Sequence, residues 1–164
     1  MMNDVFLGAR EDLDDNHRQK ILTFKLDDAT YGIDIKYVKE IVGLQAITIM
    51  PELPDFVKGI INLRDKIIPV IAIREKFKMI PKDFNDRTCI IIIHSLDLDI
   101  GIIVDTISEV IDFSEKQIVP PPPLSVQELA YIESIGIMNH AVTLIVNCKA
   151  LLKKEEIALI KAEI

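Results

Sequence analysis

The sequence predicts an all-β fold, β-rich with short helices, made of two small barrels that arose by internal duplication. Composition is the first observation: of 164 residues 49% are hydrophobic, only 5% are aromatic, and 30 are isoleucine. Isoleucine is stiff at χ1 and suits a pleated surface better than a helix. The second observation is that short alternations of apolar and polar residues recur between turn-forming residues. The third is that this pattern runs through the chain twice.

Residues 1–19 are polar and acidic without periodicity, and are expected to form a flexible acidic tail. ILTFKL, 21–26, alternates as a half-buried strand does; Asp27, Asp28, Ala29 and Thr30 are turn letters, and YGIDI, 31–35, completes a hairpin. Ile35, Val38, Ile41 and Val42 then have the spacing of one face of a short helix. AITIM, 46–50, reads as a strand closed by Pro51 and Pro54. VKGIINL, 57–63, and IIPVIAI, 67–73, are the arms of a second hairpin around Arg64, Asp65 and Lys66. Pro69 has no N–H to give a neighbouring strand, so its arm is expected at a sheet edge or bulge. KDFND, 82–86, reads as a linker.

After the linker the pattern restarts. Residues 91–120 lie over residues 22–51 without gaps, matching Gly32 to Gly101, Val38 to Ile107, Glu40 to Glu109 and Pro51 to Pro120. GIMNHAVTLIVNCKALL, 136–152, then resembles the earlier hairpin with a turn about two residues shorter and Leu144 in place of Pro69. Between them lies a proline run followed by Ser125 and Glu128, spaced as a capping box. Each copy of about 65 residues, with some five short strands, buries little alone, so the two are expected to share a core. Closure removes exposed strand edges, which favours SH3-like five-stranded barrels. The first barrel is expected over approximately 20–81 and the second over approximately 87–152. Leu152, Leu159, Ile160 and Ile164 have helical spacing, predicting a C-terminal helix over 153–164.

A net charge of −7 with no basic stripe argues against nucleic acid as a partner. No apolar run approaches the roughly 20 residues that span a bilayer, and the N-terminus lacks the features of a secretory signal. The expected setting is cytoplasmic. Cys89 and Cys148 read as small buried hydrophobes in a reducing compartment, although a pairing stays open on spacing alone. His17, His94 and His140 have no ligand at metal-binding spacing, and no glycine-rich phosphate loop or nucleophile elbow is present. Asp34, Asp105, Glu40 and Glu109 are read as structural. Neither a cofactor nor an enzymatic activity is expected.

Arg64 at the hairpin tip serves no core. It is either a solvated turn charge or a guanidinium held by a partner, most simply Glu40.

FKLDDATYGIDIKYVKEIV, IMPELPDFVKGIINLRDKIIPVIAIREKF, IGIIVDTISEVIDFSEKQIVPPP and IGIMNHAVTLIVNCKALL together resemble the bacterial chemotaxis coupling family CheW, over residues 20–152. GIINLRDKIIPVI is the most specific element. The resemblance implies two SH3-like barrels and a non-catalytic adaptor. Its implied partners are the cytoplasmic tip of methyl-accepting receptors and the regulatory domain of the histidine kinase CheA, in arrays beneath the membrane. By position it assigns Val38, Glu40, Gly59, Arg64, Asp65 and Gly101 to the partner-binding surface, with Glu40 and Arg64 as an acid and base pair. Gly59 and Gly101 correspond to glycines where a side chain would disturb a turn or the groove between barrels. Two positions depart from the family pattern: Asp65 follows the hairpin arginine where glycine is usual, and Ala72 replaces an acid. Alternative readings are a separated regulatory domain of a CheA-type kinase, or a CheV-type coupling domain. About 19 residues before the barrels and about 12 after Leu152 leave no room for the extra domains these would carry.

Overall fold

A computed structural model describes residues 18–123 and 130–163. The acidic tail up to residue 17 and the capping box at Ser125 and Glu128 lie outside the described residues. Eleven strands form two sheets among the described residues. In chain order they are β1 (Arg18–Leu26), β2 (Ala29–Asp34), β3 (Val38–Gly43), β4 (Val57–Leu63), β5 (Lys66–Ala72), β6 (Cys89–Ser95), β7 (Leu98–Val104), β8 (Thr106–Ser114), β9 (Ile118–Val119), β10 (Ile132–Met138) and β11 (Ala141–Val146). Helix α1 (Ile73–Lys76) follows β5, and α2 (Lys154–Glu163) closes the chain. The β-rich class with short helices and a C-terminal helix is therefore as the sequence predicts.

One sheet has the order β8-β1-β2-β11-β10-β9 and the other β3-β6-β7-β5-β4. Each curls on itself. A three-residue 3-10 turn, Glu115–Gln117, separates β8 from β9, although they lie at opposite ends of the strand order. In the other sheet the chain leaving β3 reaches Thr48, which exchanges two backbone hydrogen bonds of 2.9 Å with Ile60 on β4. The first and last strands of each sheet are thus brought together, by a short turn in one and by a backbone bridge in the other.

The barrel boundaries expected at 20–81 and 87–152 need correction. Hairpin β1–β2 from the first copy sits in the sheet of β8 to β11, and hairpin β6–β7 from the second copy sits in the sheet of β3 to β5. Each copy thus lends its first hairpin to the other barrel. The joints are two parallel pairings, β11 with β2 and β5 with β7. Burial accounts for the exchange: in β6, Ile90 and Ile92 point into one barrel while Ile91 and Ile93 enter the core shared by both, so four consecutive isoleucines are all buried.

Three further expectations change. Residues 35–42 are not a helix: a 3-10 turn over Ile35–Tyr37, capped by Asp34 Oδ1 accepting from the Lys36 amide at 3.1 Å, gives way to β3. The spacing of Ile35 and Val38 belongs to that turn, and the β-branched Val38, Ile41 and Val42 then take the extended form while pairing with β6. AITIM contributes a single bridge at Thr48 rather than a strand. Strand β5 is internal despite Pro69. Pro69 lies opposite Ile60, whose N–H and C=O both bond Thr48, and pairing with β7 begins only at Val70. No hydrogen bond is asked of the missing N–H.

The C-terminal helix docks through Ile160, which is fully buried, while Leu159 faces solvent. Lys76 of α1 lies beneath it, with Nζ 2.9 Å from Glu156 Oε1 and over the rings of Phe56 and Tyr131 at 4.1 and 5.5 Å. Burial works against the Glu156 charge, but the Lys153 amide and Lys76 ammonium hold its carboxyl below the usual range.

Candidate functional site

A two-residue turn between Leu63 and Lys66 puts Arg64 and Asp65 at the tip of the β4–β5 hairpin, with φ of 51° and 66°. Two successive positive φ values make a type I′ turn, whose twist suits the flanking strands. Asp65 holds the left-handed conformation where the family pattern has glycine, so the departure is tolerated by the backbone.

From this tip Arg64 reaches back to β3. Its Nη1 donates to Glu40 Oε2 at 2.5 Å and its Nη2 to Glu40 Oε1 at 2.7 Å. This is the fork of two parallel bonds that a planar guanidinium makes with a carboxylate. The arginine side chain is 70% exposed and the glutamate 29%. The Arg64 hydrogen bonds hold the Glu40 carboxyl below its ordinary range, and Glu40 in turn raises Arg64. An exposed pair of this kind adds only about 0–1 kcal/mol to stability. Its consequence is an ordered charge pattern on the surface.

Strands β3, β5, β6 and β7 bring further groups to the same end of the barrel. β3 shifts register between Val38 and Glu40, leaving Lys39 as the extra residue of a bulge. Lys39 Nζ lies 2.8 Å from Asp99 Oδ2 on β7, and His94 Nδ1 on β6 lies 2.6 Å from Asp99 Oδ1. Lys66 Nζ is 4.0 Å from Asp99 Oδ2. Around these charges Ile35, Ile67 and Leu96 stand exposed. Lys39, Lys66, His94 and Asp99 were missed by sequence reasoning, because Lys39 and Asp99 are sixty positions apart and nothing in the pattern joins them. The available signals were the place of Lys39 beside Glu40 and the short spacing of His94 and Asp99 across a hairpin.

The six sequence-assigned residues thus divide. Val38, Glu40, Arg64 and Asp65 gather at this end, with Val38 half-buried against the shared core. Gly59 and Gly101 lie buried within the sheet, opposite Val70 on its two sides. Gly59 has φ +144°, and a Cβ there would fall 2.1 Å from the Thr48 carbonyl oxygen. A Cβ on Gly101 would fall 2.6 Å from Val70 Cγ1 and 2.8 Å from Ile90 Cγ2. Their geometry is that of close backbone approach rather than of surface contact.

On another side, α1, the end of β7 and residues 81–88 enclose a cleft of about 390 Å³ with Ile47, Ile49, Phe84 and Ile103 among its walls. Arg74 at its margin donates to Asp27 at 3.0 Å, Asp105 at 2.8 Å and the Ile80 carbonyl oxygen at 2.7 Å, pinning the β1–β2 turn to the link between β7 and β8. Ala72, the other departure from the family pattern, is a buried wall of this cleft. Both cysteines are free thiols, and burial, with Glu133 and Asp34 nearby, pushes Cys148 up to about 12. Among the described residues no group of three His, Cys, Asp or Glu side chains could hold a metal ion, and no helix is long and apolar enough to cross a membrane.

Comparison with known proteins bears on this arrangement. The family model for the CheW-like domain matches residues 20–156. The chain is 35% identical over 143 residues to chemotaxis protein CheW of Klebsiella aerogenes, covering 87% of this chain and 86% of that one. It is 31% identical over 138 residues to chemotaxis protein CheW of Bacillus subtilis, covering 84% and 88%. The crystal structure of scaffolding protein TtCheW from Thermoanaerobacter tengcongensis matches with a TM-score of 0.79 at 38% identity, over 84% of this chain and 94% of that one. With sequence, topology and length agreeing, the chain belongs to the CheW family of chemotaxis scaffold proteins.

Proposed function

We propose that the protein is a non-catalytic adaptor that couples methyl-accepting receptors to the regulatory domain of the histidine kinase CheA, and passes receptor signals to the kinase. In this reading it works in the cytoplasm, at receptor arrays beneath the membrane. The observation that carries the proposal is the Arg64–Glu40 fork. A bidentate pair on an exposed tip contributes little to folding, yet it presents a fixed charge pattern to whatever docks there. The exposed Ile35, Ile67 and Leu96 supply apolar contact beside it. Val38, Glu40, Arg64 and Asp65 form the contact surface, while Gly59 and Gly101 act through the sheet that supports it.

Co-sedimentation of the purified chain with receptor signalling fragments and CheA tests this. Arg64→Glu is expected to lose the ternary assembly at an unchanged melting temperature. The double swap Glu40→Arg with Arg64→Glu should recover part of it. A wild-type chain that sediments with neither partner sinks the proposal.

A further inference from the structure

The Glu40–Arg64 pair joins two strands that lie at opposite ends of the order β3-β6-β7-β5-β4, counting the hairpin arms together. Something must hold both ends in register for a bidentate fork to persist, because both side chains are long and Arg64 is exposed. The bulge in β3 is the weak point: an extra residue bends its strand and re-aims the side chains beside it.

Asp99 contacts both sides. One carboxylate oxygen receives Lys39, the bulge residue immediately before Glu40, at 2.8 Å. The same oxygen has Lys66, the first residue of β5 and two positions after Arg64, at 4.0 Å. The other oxygen faces His94 Nδ1 at 2.6 Å, across the β6–β7 ladder where His94 and Asp99 are direct partners. Asp99 is itself only 17% exposed, so it is the most buried member of the cluster, among basic side chains 42–67% exposed. Burial opposes its charge, but the hydrogen bonds from Lys39 and His94 outweigh that and hold the carboxyl below its ordinary range.

We infer that Asp99 is a positioning residue for the partner surface: by hydrogen-bonding Lys39 it fixes the β3 bulge beside Glu40, with Lys66 of the β4–β5 hairpin in longer-range charge contact, and so aligns Glu40 with Arg64. His94 braces Asp99 from the strand between them. As to partner binding, the inference rests on the adaptor reading above; as to the Glu40–Arg64 geometry, it does not. Nor is it a claim about folding. Lys39 and Lys66 are both exposed, and ion pairs to such side chains add only about 0–1 kcal/mol to stability.

The full-length chain carrying Asp99→Asn, with Asp99→Glu as the conservative control, separates these roles. NMR of the Arg64 guanidinium reads the fork directly, since a bidentate partner slows rotation of the two Nη groups and resolves their signals. The expected result is resolved signals in wild type and Asp99→Glu, and merged signals in Asp99→Asn at unchanged melting temperature. Co-sedimentation with receptor fragments and CheA should weaken by up to about fivefold in Asp99→Asn, the scale of one exposed ion pair. In an Arg64→Ala background the same change should have no further effect. Resolved Arg64 signals in Asp99→Asn, or equal losses with and without Arg64, overturn the inference. If wild type fails to co-sediment while the Arg64 signals still respond to Asp99, the positioning role stands and the adaptor reading falls.

Discussion

Hairpins β4–β5 and β10–β11 occupy equivalent places in the two copies, and their backbones are nearly the same. Both turn through two residues, Arg64 and Asp65 in one and Asn139 and His140 in the other, with φ of 51° and 66° against 51° and 67°. The turn expected to be shorter in the second copy is therefore equal in length, and the counterpart of Gly59 is Ser134. Both hairpins slip register at the same place, between Val57 and Gly59 and between Ile132 and Ser134. The difference lies in the side chains. Asparagine enters the left-handed region readily, whereas arginine does so at a cost on the order of 1 kcal/mol. The first hairpin thus carries the worse turn former, and that residue makes a fork to Glu40. The equivalent Glu109 is tied through its backbone to Thr23 instead, its carbonyl accepting from Thr23 Oγ1 at 2.6 Å. A turn that folds well without arginine has arginine only in the copy where Glu40 stands to receive it.

Exchanging residues between the hairpins breaks the comparison at graded cost. Gly59→Ser, which installs the residue of the second hairpin, should lose about 3 kcal/mol or more in urea unfolding, from a positive φ and a clash with the Thr48 carbonyl oxygen together. Ser134→Gly should stay within about 1 kcal/mol. Leu144→Pro comes next, at about 3 kcal/mol, because β11 pairs with β2 from Thr143 through Ile145 and the proline would sit inside that ladder. Pro69→Leu, facing no such ladder, should change stability little. Asn139→Arg should cost about 1 kcal/mol, read as a lower melting temperature, because it moves arginine into a left-handed turn without a Glu40.

The smallest effect is the titration of Glu40. Its carboxyl is held below the ordinary value of 4.5 by the Arg64 hydrogen bonds. A depressed carboxyl contributes stability above its unfolded value and loses it as pH falls through the folded one, so the fork should be intact at neutral pH and open in acid. Carbon-detected NMR should find the Glu40 midpoint below 4.5 in wild type and moved up toward it in Arg64→Ala.

Much of this was legible in the sequence, and the exceptions have physical causes. Alternation and the unbroken match of 91–120 onto 22–51 were enough for strands, duplication and two barrels. A repeat defines units but not partners. Pairing of β2 with β11 and of β5 with β7 is a long-range choice, and the hairpin exchange followed from it. The spacing of Ile35, Val38 and Ile41 suits a helix as well as a 3-10 turn running into a strand, and the pairing with β6 decided between them. Pro69 misled because its missing N–H matters only where a neighbour needs it. At the candidate site Arg64 and Glu40 could be paired from sequence, since a lone arginine at a turn invites a nearby acid. The Lys39–Asp99 contact could not, because it crosses β6 and depends on a bulge.

The central claim is that the β4–β5 tip serves a partner and not the fold. Replacing Arg64 and Asp65 together by Asn and His, the tip of the other hairpin, tests it most directly when melting temperature and co-sedimentation with receptor fragments and CheA are measured on the same protein. The account predicts a melting temperature equal to or above wild type with ternary assembly lost. A chain that unfolds, or one that still assembles as wild type does, would contradict it.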